Sequence, residues 1–152
     1  MYVVDMPSVE SAIKIRAPIG RVFDTIVDPE SIPKFAPVHA VTNIKGKFGE
    51  TGNSADYEYR VLGIKLRQNM TVLEAHKPDS IIYEMFGVFT GKWVYTLEPH
   101  EGGTVVRVKV DYSIGGGFTG RIADWLFINR INEKNLEISQ LGLKKFCESL
   151  TV

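Results

Sequence analysis

The stretch TVVRVKVDYSIGGGFTGRIADWLFINRINEKNLEISQLGLKKFCESL, residues 104–150, changes its hydrophobic period once, and that change decides the fold. In its first part Val106, Val108, Val110, Tyr112 and Ile114 alternate with Arg107, Lys109, Asp111 and Ser113. One buried and one wet face marks a strand of an antiparallel sheet, from Thr104 to Ile114. Gly115-Gly116-Gly117 ends it and, with the backbone freedom of three glycines, reads as a hinge. From Thr119 to about Leu150 there is no proline, and only Gly120 and Gly142 interrupt helix formers. This predicts a helix of roughly 30 residues, about 45 Å long.

Upstream the two-residue period recurs. Ser80 to Phe86 and Phe89 to Leu97 read as strands, set off by turn signals at Lys77-Pro78-Asp79 and at Glu98 to Gly103. Ile64, Leu66, Met70 and Val72 alternate with Lys65, Arg67, Asn69 and Thr71, and Gln68 falls on the apolar side. Val38 to Ile44 and Ser54 to Leu62 flank a loop, Lys45 to Asn53, whose Gly46, Gly49 and Gly52 suggest a mobile hairpin. The first strand runs from Val9 to Arg16 and stops before Pro18. Val22, Phe23, Ile26 and Val27 then follow at helical spacing until Asp28-Pro29, and a second short helix covers Glu30 to Phe35. Strands grouped together, rather than alternating with helices, predict an α+β domain spanning 1–152. About seven strands form a curved antiparallel sheet around the C-terminal helix.

Composition narrows the function classes. With 44% hydrophobic and 24% charged residues the chain can build one core and is not disordered. The 18 basic and 18 acidic side chains cancel, so no net field draws nucleic acid, and none is expected as a partner. Cys147 is the one cysteine, which precludes an internal disulfide or a cysteine metal cluster and suits a cytoplasmic location. MYVVDMPSVE has no basic, apolar signal pattern, and no apolar run reaches about 18 residues, so stable membrane insertion is not expected.

The segment APIGRVFDTIVDPESIPKFAP, residues 17–37, resembles the opening of the START-like (SRPBCC) ligand-binding superfamily, in particular its polyketide cyclase/dehydrase branch. The matching residues are Pro18, Val22, Phe23, Asp28, Pro29, Phe35 and Pro37, and RINEKNLEISQLGLKKFCESL at 130–150 resembles that family's closing helix. The resemblance implies a helix-grip fold, with the helix across the concave face of the sheet and a cavity between them. It carries over no catalytic motif, since a shared fold does not fix chemistry.

The residues themselves offer little for catalysis. His76 and His100 lie next to turn signals, and His39, at the start of a strand, is open to either face. No histidine spacing fits a metal, and neither metal nor cofactor is expected. Cys147 shares a helical stripe with Leu143 and Leu150 and reads as a small buried hydrophobe. No Gly-x-Ser-x-Gly elbow appears, and the glycines at 46, 49 and 52 lack the Gly-Lys-Ser/Thr of a phosphate loop.

More informative are polar groups on apolar faces. Tyr57 and Tyr59 share one strand face, Trp93 and Tyr95 share another with Phe89, and Tyr83 and Tyr112 sit on apolar faces of their own strands. Buried tyrosine hydroxyls need partners, so with Gln68 they describe a pocket that orients an apolar ligand by a few polar contacts. On the closing helix a stripe runs through Ile122, Trp125, Leu126, Asn129, Glu133, Leu136, Gln140, Leu143, Cys147 and Leu150. Its polar middle, Asn129, Glu133 and Gln140, suits a wet or ligand-filled cavity, because burying an unpaired amide costs about 1–3 kcal/mol. Glu133 facing such a cavity would have a raised pKa and is the one catalytic candidate. Trp125, Leu126, Phe127, Ile128 and Ile131 nearly encircle the early helix, to be covered by the glycine-rich loop or by a second copy in a homodimer.

The reading that follows is a binder or carrier of a hydrophobic small molecule: a lipid, a quinone or a polyketide-like compound. The alternatives are a cyclase or dehydratase working through Glu133 or a tyrosine, and a protein-interaction module using the patch near Phe127.

Overall fold

Each alternation becomes a strand in the computed structural model, which describes residues 8–61, 63–87, 89–114 and 122–149. The strands are β1 (Ser8–Ile15), β2 (Val38–Lys45), β3 (Ser54–Val61), β4 (Ile64–His76), β5 (Ser80–Gly87), β6 (Phe89–His100) and β7 (Gly103–Ile114). They form one sheet in the order β1-β7-β6-β5-β4-β3-β2, every pair antiparallel. After β1 the chain passes through α1 (Ile19–Val27) and α2 (Ile32–Phe35) to the far edge of the sheet, then returns strand by strand until β7 lies beside β1. Helix α3 (Ile122–Ser149) closes the fold, with its 28 residues spanning about 42 Å. This is the expected helix-grip arrangement.

Local chemistry explains the helical pair. Pro18, extended at φ −61°, precedes α1, whose Val22, Phe23 and Ile26 are buried. At Asp28 the carboxylate accepts the Glu30 N–H at 3.0 Å and the Ser31 hydroxyl at 2.8 Å, which fixes the turn into α2. Only Ile32 to Phe35 are helical, so the second helix starts two residues later than its sequence suggests.

Two hairpins depart from expectation. β6 runs on to His100 and β7 begins at Gly103, so a turn of two residues, Glu101 and Gly102, replaces the broader one expected at 98–103. Their φ values of 39° and 78° are those of a tight turn matched to strand twist. The glycine-rich loop is hydrogen-bonded to β4 at its C-terminal end. Gly52 N–H donates to the Val72 carbonyl and Val72 N–H to the Asn53 carbonyl, both at 2.8 Å, which prolongs the β3–β4 ladder. Gly49, at φ 74°, packs on Val27 at the end of α1.

The core lies between the inner sheet face and the helices. Val106, Val108 and Val110 of β7, with Ile81 of β5 and Val72 of β4, pack against Val22, Phe23, Leu136, Leu143 and Cys147. Each such side chain contributes about 1.5–3 kcal/mol by leaving water. Cys147 is fully buried, and burial pushes its thiol up, in keeping with a packing role.

Polar clamps hold the C-terminal half of α3. Glu148 accepts the Arg16 backbone N–H at 3.0 Å and Lys144 Nζ at 2.6 Å, while Lys144 also donates to the Lys14 carbonyl at 3.1 Å. Gly142 is required by closeness, because a Cβ there would overlap the Phe35 carbonyl of α2. That contact seats α2 against α3 and sets one wall of the cavity described next.

Candidate functional site

Four tyrosines converge on one cavity. On β3, Tyr57 and Tyr59 are two residues apart and share the inner face, with Gln68 and Leu66 of β4 opposite. On β5, Tyr83 lies opposite Trp93 of β6, and Ile81 lies opposite Tyr95. The Tyr83 and Tyr95 rings meet edge to face at 6.5 Å, and Trp93 leans on Tyr95 at 6.0 Å. Ile32, Phe35 and Ala36 close the other side together with Ile26, Val38, Met70 and Ser139. The empty space between these side chains, counted together with its mouth open to solvent, is about 400 Å³.

The polar groups of this cavity are neutral. Burial is the first cause pushing up the phenols of Tyr57, Tyr59 and Tyr83, and it raises Tyr95 to about 12. Tyr57 is pushed further by its neighbours Tyr83, Tyr59 and Tyr95, the electrostatic sign that these hydroxyls cluster. Tyr57 and Tyr59 are half-buried, and Tyr83 and Tyr95 are buried. All four therefore stay protonated near neutral pH, able to donate hydrogen bonds but unable to serve as ready bases. The Trp93 indole N–H is buried without a hydrogen-bond partner among the described residues. It lies beside the Tyr95 hydroxyl and acts to lower that phenol's pKa, without making a hydrogen bond to it.

Five of the residues singled out from sequence thus meet here: Tyr57, Tyr59, Tyr83, Trp93 and Tyr95. Gln68 does not. Its Nε2 donates to the Phe89 carbonyl at 2.8 Å and its Oε1 accepts the Phe89 N–H at 2.9 Å, so the amide acts as a piece of strand for the start of β6. Gln140, also buried, donates to the Val106 carbonyl at 3.1 Å and ties α3 to β7. Tyr112 donates to Asn129 Oδ1 at 2.5 Å, and Asn129 Nδ2 in turn donates to Glu133 Oε1 at 3.3 Å. Burial pushes the Tyr112 phenol up, and the charge of Glu133 adds to it. Glu133 itself is exposed. The inward-facing acid expected from sequence is therefore not in the cavity. The side chains of Trp125 and Phe127, and residues 115–117, lie outside the described residues.

Sequence reasoning assigns the α2 residues to the fold and overlooks them as a wall. Ile32 and Phe35, three apart on a four-residue helix, are the available signal. Ser139 is overlooked as well, although it borders Gln140 on the buried stripe. His39 is exposed and its Nε2 accepts from Arg60 at 2.9 Å, away from the cavity; His76 and His100 are exposed at strand ends. Among the described residues no group of three or more His, Cys, Asp or Glu could hold a metal, and no helix is long and apolar enough to cross a membrane.

A curved sheet closed by one long helix over an aromatic cavity defines a helix-grip protein. The chain belongs to the family described as polyketide cyclase / dehydrase and lipid transport, which matches residues 6–146. Solved structures agree on the fold. TTHA0849 from Thermus thermophilus superposes with a TM-score of 0.78 at 18% identity, over 96% of this chain and 100% of that one. The di-domain ARO/CYC StfQ from the steffimycin biosynthetic pathway gives 0.77 at 13% identity, over 96% of this chain and 52% of that one. The Aha1 dimer from Colwellia psychrerythraea gives 0.67 at 16% identity, over 97% and 100%. No curated protein matches the sequence significantly.

Proposed function

We propose that the chain binds and carries an uncharged, largely apolar small molecule in the cavity between β3–β6 and the helices. The observation that carries this reading is the lining: apolar side chains throughout, with neutral hydroxyls at the tips of four enclosed rings. Such a surface removes an apolar body from water and orients it by a few hydrogen bonds. The family's description, which joins cyclases with lipid transport, supports the same class of ligand. Binding is favoured over catalysis because the cavity's hydroxyls stay protonated and, among the described residues, no carboxylate or imidazole lines it. Native mass spectrometry of the purified protein tests this. A co-purifying mass that organic extraction removes, or saturable uptake from a panel of lipids, quinones and polycyclic aromatics, is expected. An empty protein that takes up none of them would sink the proposal. We further propose a second copy as the protein partner, at Ile138 and Leu141 on the outer side of α3, which are 45% and 47% exposed. A concentration series in light scattering checks it.

A further inference from the structure

Every polar side chain on the cavity wall brings a proton, and one of them, the Trp93 indole N–H, makes no hydrogen bond among the described residues. The groups are the hydroxyls of Tyr57, Tyr59, Tyr83, Tyr95 and Ser139 and the indole N–H of Trp93. The Ser139 hydroxyl already donates to the Asn135 carbonyl at 2.8 Å. Tyrosine hydroxyls can rotate to accept as well as donate, so they can satisfy one another. An indole N–H can only donate. At Trp93 it is buried and, among the described residues, unpaired, and a buried donor left without an acceptor is costly. No lysine, arginine or histidine lines the cavity among the described residues, so a carboxylate entering it would lose its hydration without gaining a counter-charge.

We infer that the cavity selects uncharged ligands bearing a carbonyl-type acceptor oxygen, and that the oxygen docks at the Trp93 N–H beside the Tyr95 hydroxyl. This rests on the binding reading above and adds to it the chemistry of the ligand and its orientation. The apolar body then lies toward Phe35, Ile32 and Met70, and the acceptor end points to the β6 wall. With the cavity empty the indole N–H has almost no surface open to water, so a docking oxygen has to part the wall there.

Three matched bicyclic probes test the inference on the full chain by calorimetry at neutral pH: 2-acetylnaphthalene, 2-ethylnaphthalene and 2-naphthoate. The ketone should bind roughly 3- to 10-fold more tightly than the hydrocarbon, the worth of one net hydrogen bond, and the ionised acid should bind least. In ¹⁵N-labelled protein the indole resonance that disappears in Trp93→Phe should move with the ketone and stay nearly still with the hydrocarbon. Trp93→Phe should erase the ketone's advantage over the hydrocarbon, whatever the loss of indole wall does to both affinities. Equal affinity of ketone and hydrocarbon for the wild-type protein overturns the acceptor site while leaving the cavity as a binding site, and this comparison needs no variant to fold. Tightest binding of naphthoate overturns the argument from charge. If none of the three binds and the wider panel also fails, the binding reading falls with it.

Discussion

Two regions put polar groups on an apolar face, and they have opposite fates. On the inner face of β3, β5 and β6 the hydroxyls of Tyr57, Tyr59, Tyr83 and Tyr95 gather around a cavity. Gln68 on β4, and Asn129, Glu133 and Gln140 along α3, are either used up by the protein or turned outward. Reach separates them. An amide ends close to the backbone and can copy its hydrogen bonds, as Gln68 does with Phe89 and Gln140 with Val106. A phenol ends a ring's length away from its own strand, beyond the neighbouring peptide groups, and is left to other side chains or to a ligand. A short amide on a buried face therefore points to a structural clamp, and a cluster of tyrosines to a site.

The largest test of this contrast is on the helix side. Alanine is favoured over glycine within a helix by about 1 kcal/mol, so propensity alone predicts that Gly142→Ala is stabilising. The Phe35 carbonyl occupies the place of the new methyl group, and backbone cannot swing aside as a side chain can. Overpacking then dominates, and a net loss of roughly 2 kcal/mol or more is expected by urea unfolding, with α2 displaced from the cavity wall. A gain in stability would mean that α2 and α3 do not meet as described.

Gln68 and Tyr57, which face each other across β3 and β4, give the most direct comparison. Gln68→Leu leaves the Phe89 N–H and carbonyl without their partner, at about 1–3 kcal/mol for each group left buried and unpaired. Tyr57→Phe removes a hydroxyl that lies beside Tyr83 in the cavity, and should cost about 1 kcal/mol or less. Ligand uptake should follow the reverse order, weakened by Tyr57→Phe and retained by Gln68→Leu under conditions where that variant is folded. Equal losses of stability would erase the distinction between clamp and site.

Much of this architecture is legible in the sequence. The two-residue period gives each strand its inner face, which is why the tyrosines and Trp93 fall on the concave side, and the long proline-free run predicts α3. Periodicity cannot show partners, however. Gln68 sits at an inward position as expected, yet only the register that brings Phe89 within its reach shows that its amide is satisfied. Glu133 is misplaced by its sequence pattern for another reason. A helix turns about 100° per residue, which puts Glu133 within about 20° of Gln140, so the angular pattern alone cannot show that one is exposed and the other buried. The buried stretch Leu136, Ser139, Gln140, Leu143 and Cys147 is sound; Glu133, one turn earlier, is not on it. Gly142 interrupts the helix pattern without explanation until the Phe35 carbonyl supplies one.

Alkaline pH gives a smaller and graded effect. Buried phenols ionise more easily in the unfolded chain, near 10, than in the folded one, where Tyr95 is raised to about 12. Below pH 10 both states keep their protons and stability is fully present. As pH rises from about 10 toward 12 the unfolded state loses its protons first, so stability declines across that window. Tyr95→Phe should flatten the decline, measured as the denaturation midpoint against pH. If Tyr95 ionises in the folded protein near 10, its ring is not enclosed as described.

Glu133 should show the smallest effect, and that makes it a useful control. Its carboxylate is exposed and accepts one long hydrogen bond, 3.3 Å from Asn129 Nδ2. Glu133→Gln keeps an acceptor oxygen in place and removes a charge that water already solvates, so stability should change by no more than about 0.5 kcal/mol. Removing that charge also takes away one of the influences raising the Tyr112 phenol, whose pKa should move down slightly while its bond to Asn129 persists. Ligand uptake should be unchanged, since Glu133 does not line the cavity. The measurement pairs calorimetric titration of a bound probe with thermal unfolding of both proteins. A large loss of uptake with folding intact would bring Glu133 back to the site, and would show that the polar middle of α3 belongs with the tyrosines rather than apart from them.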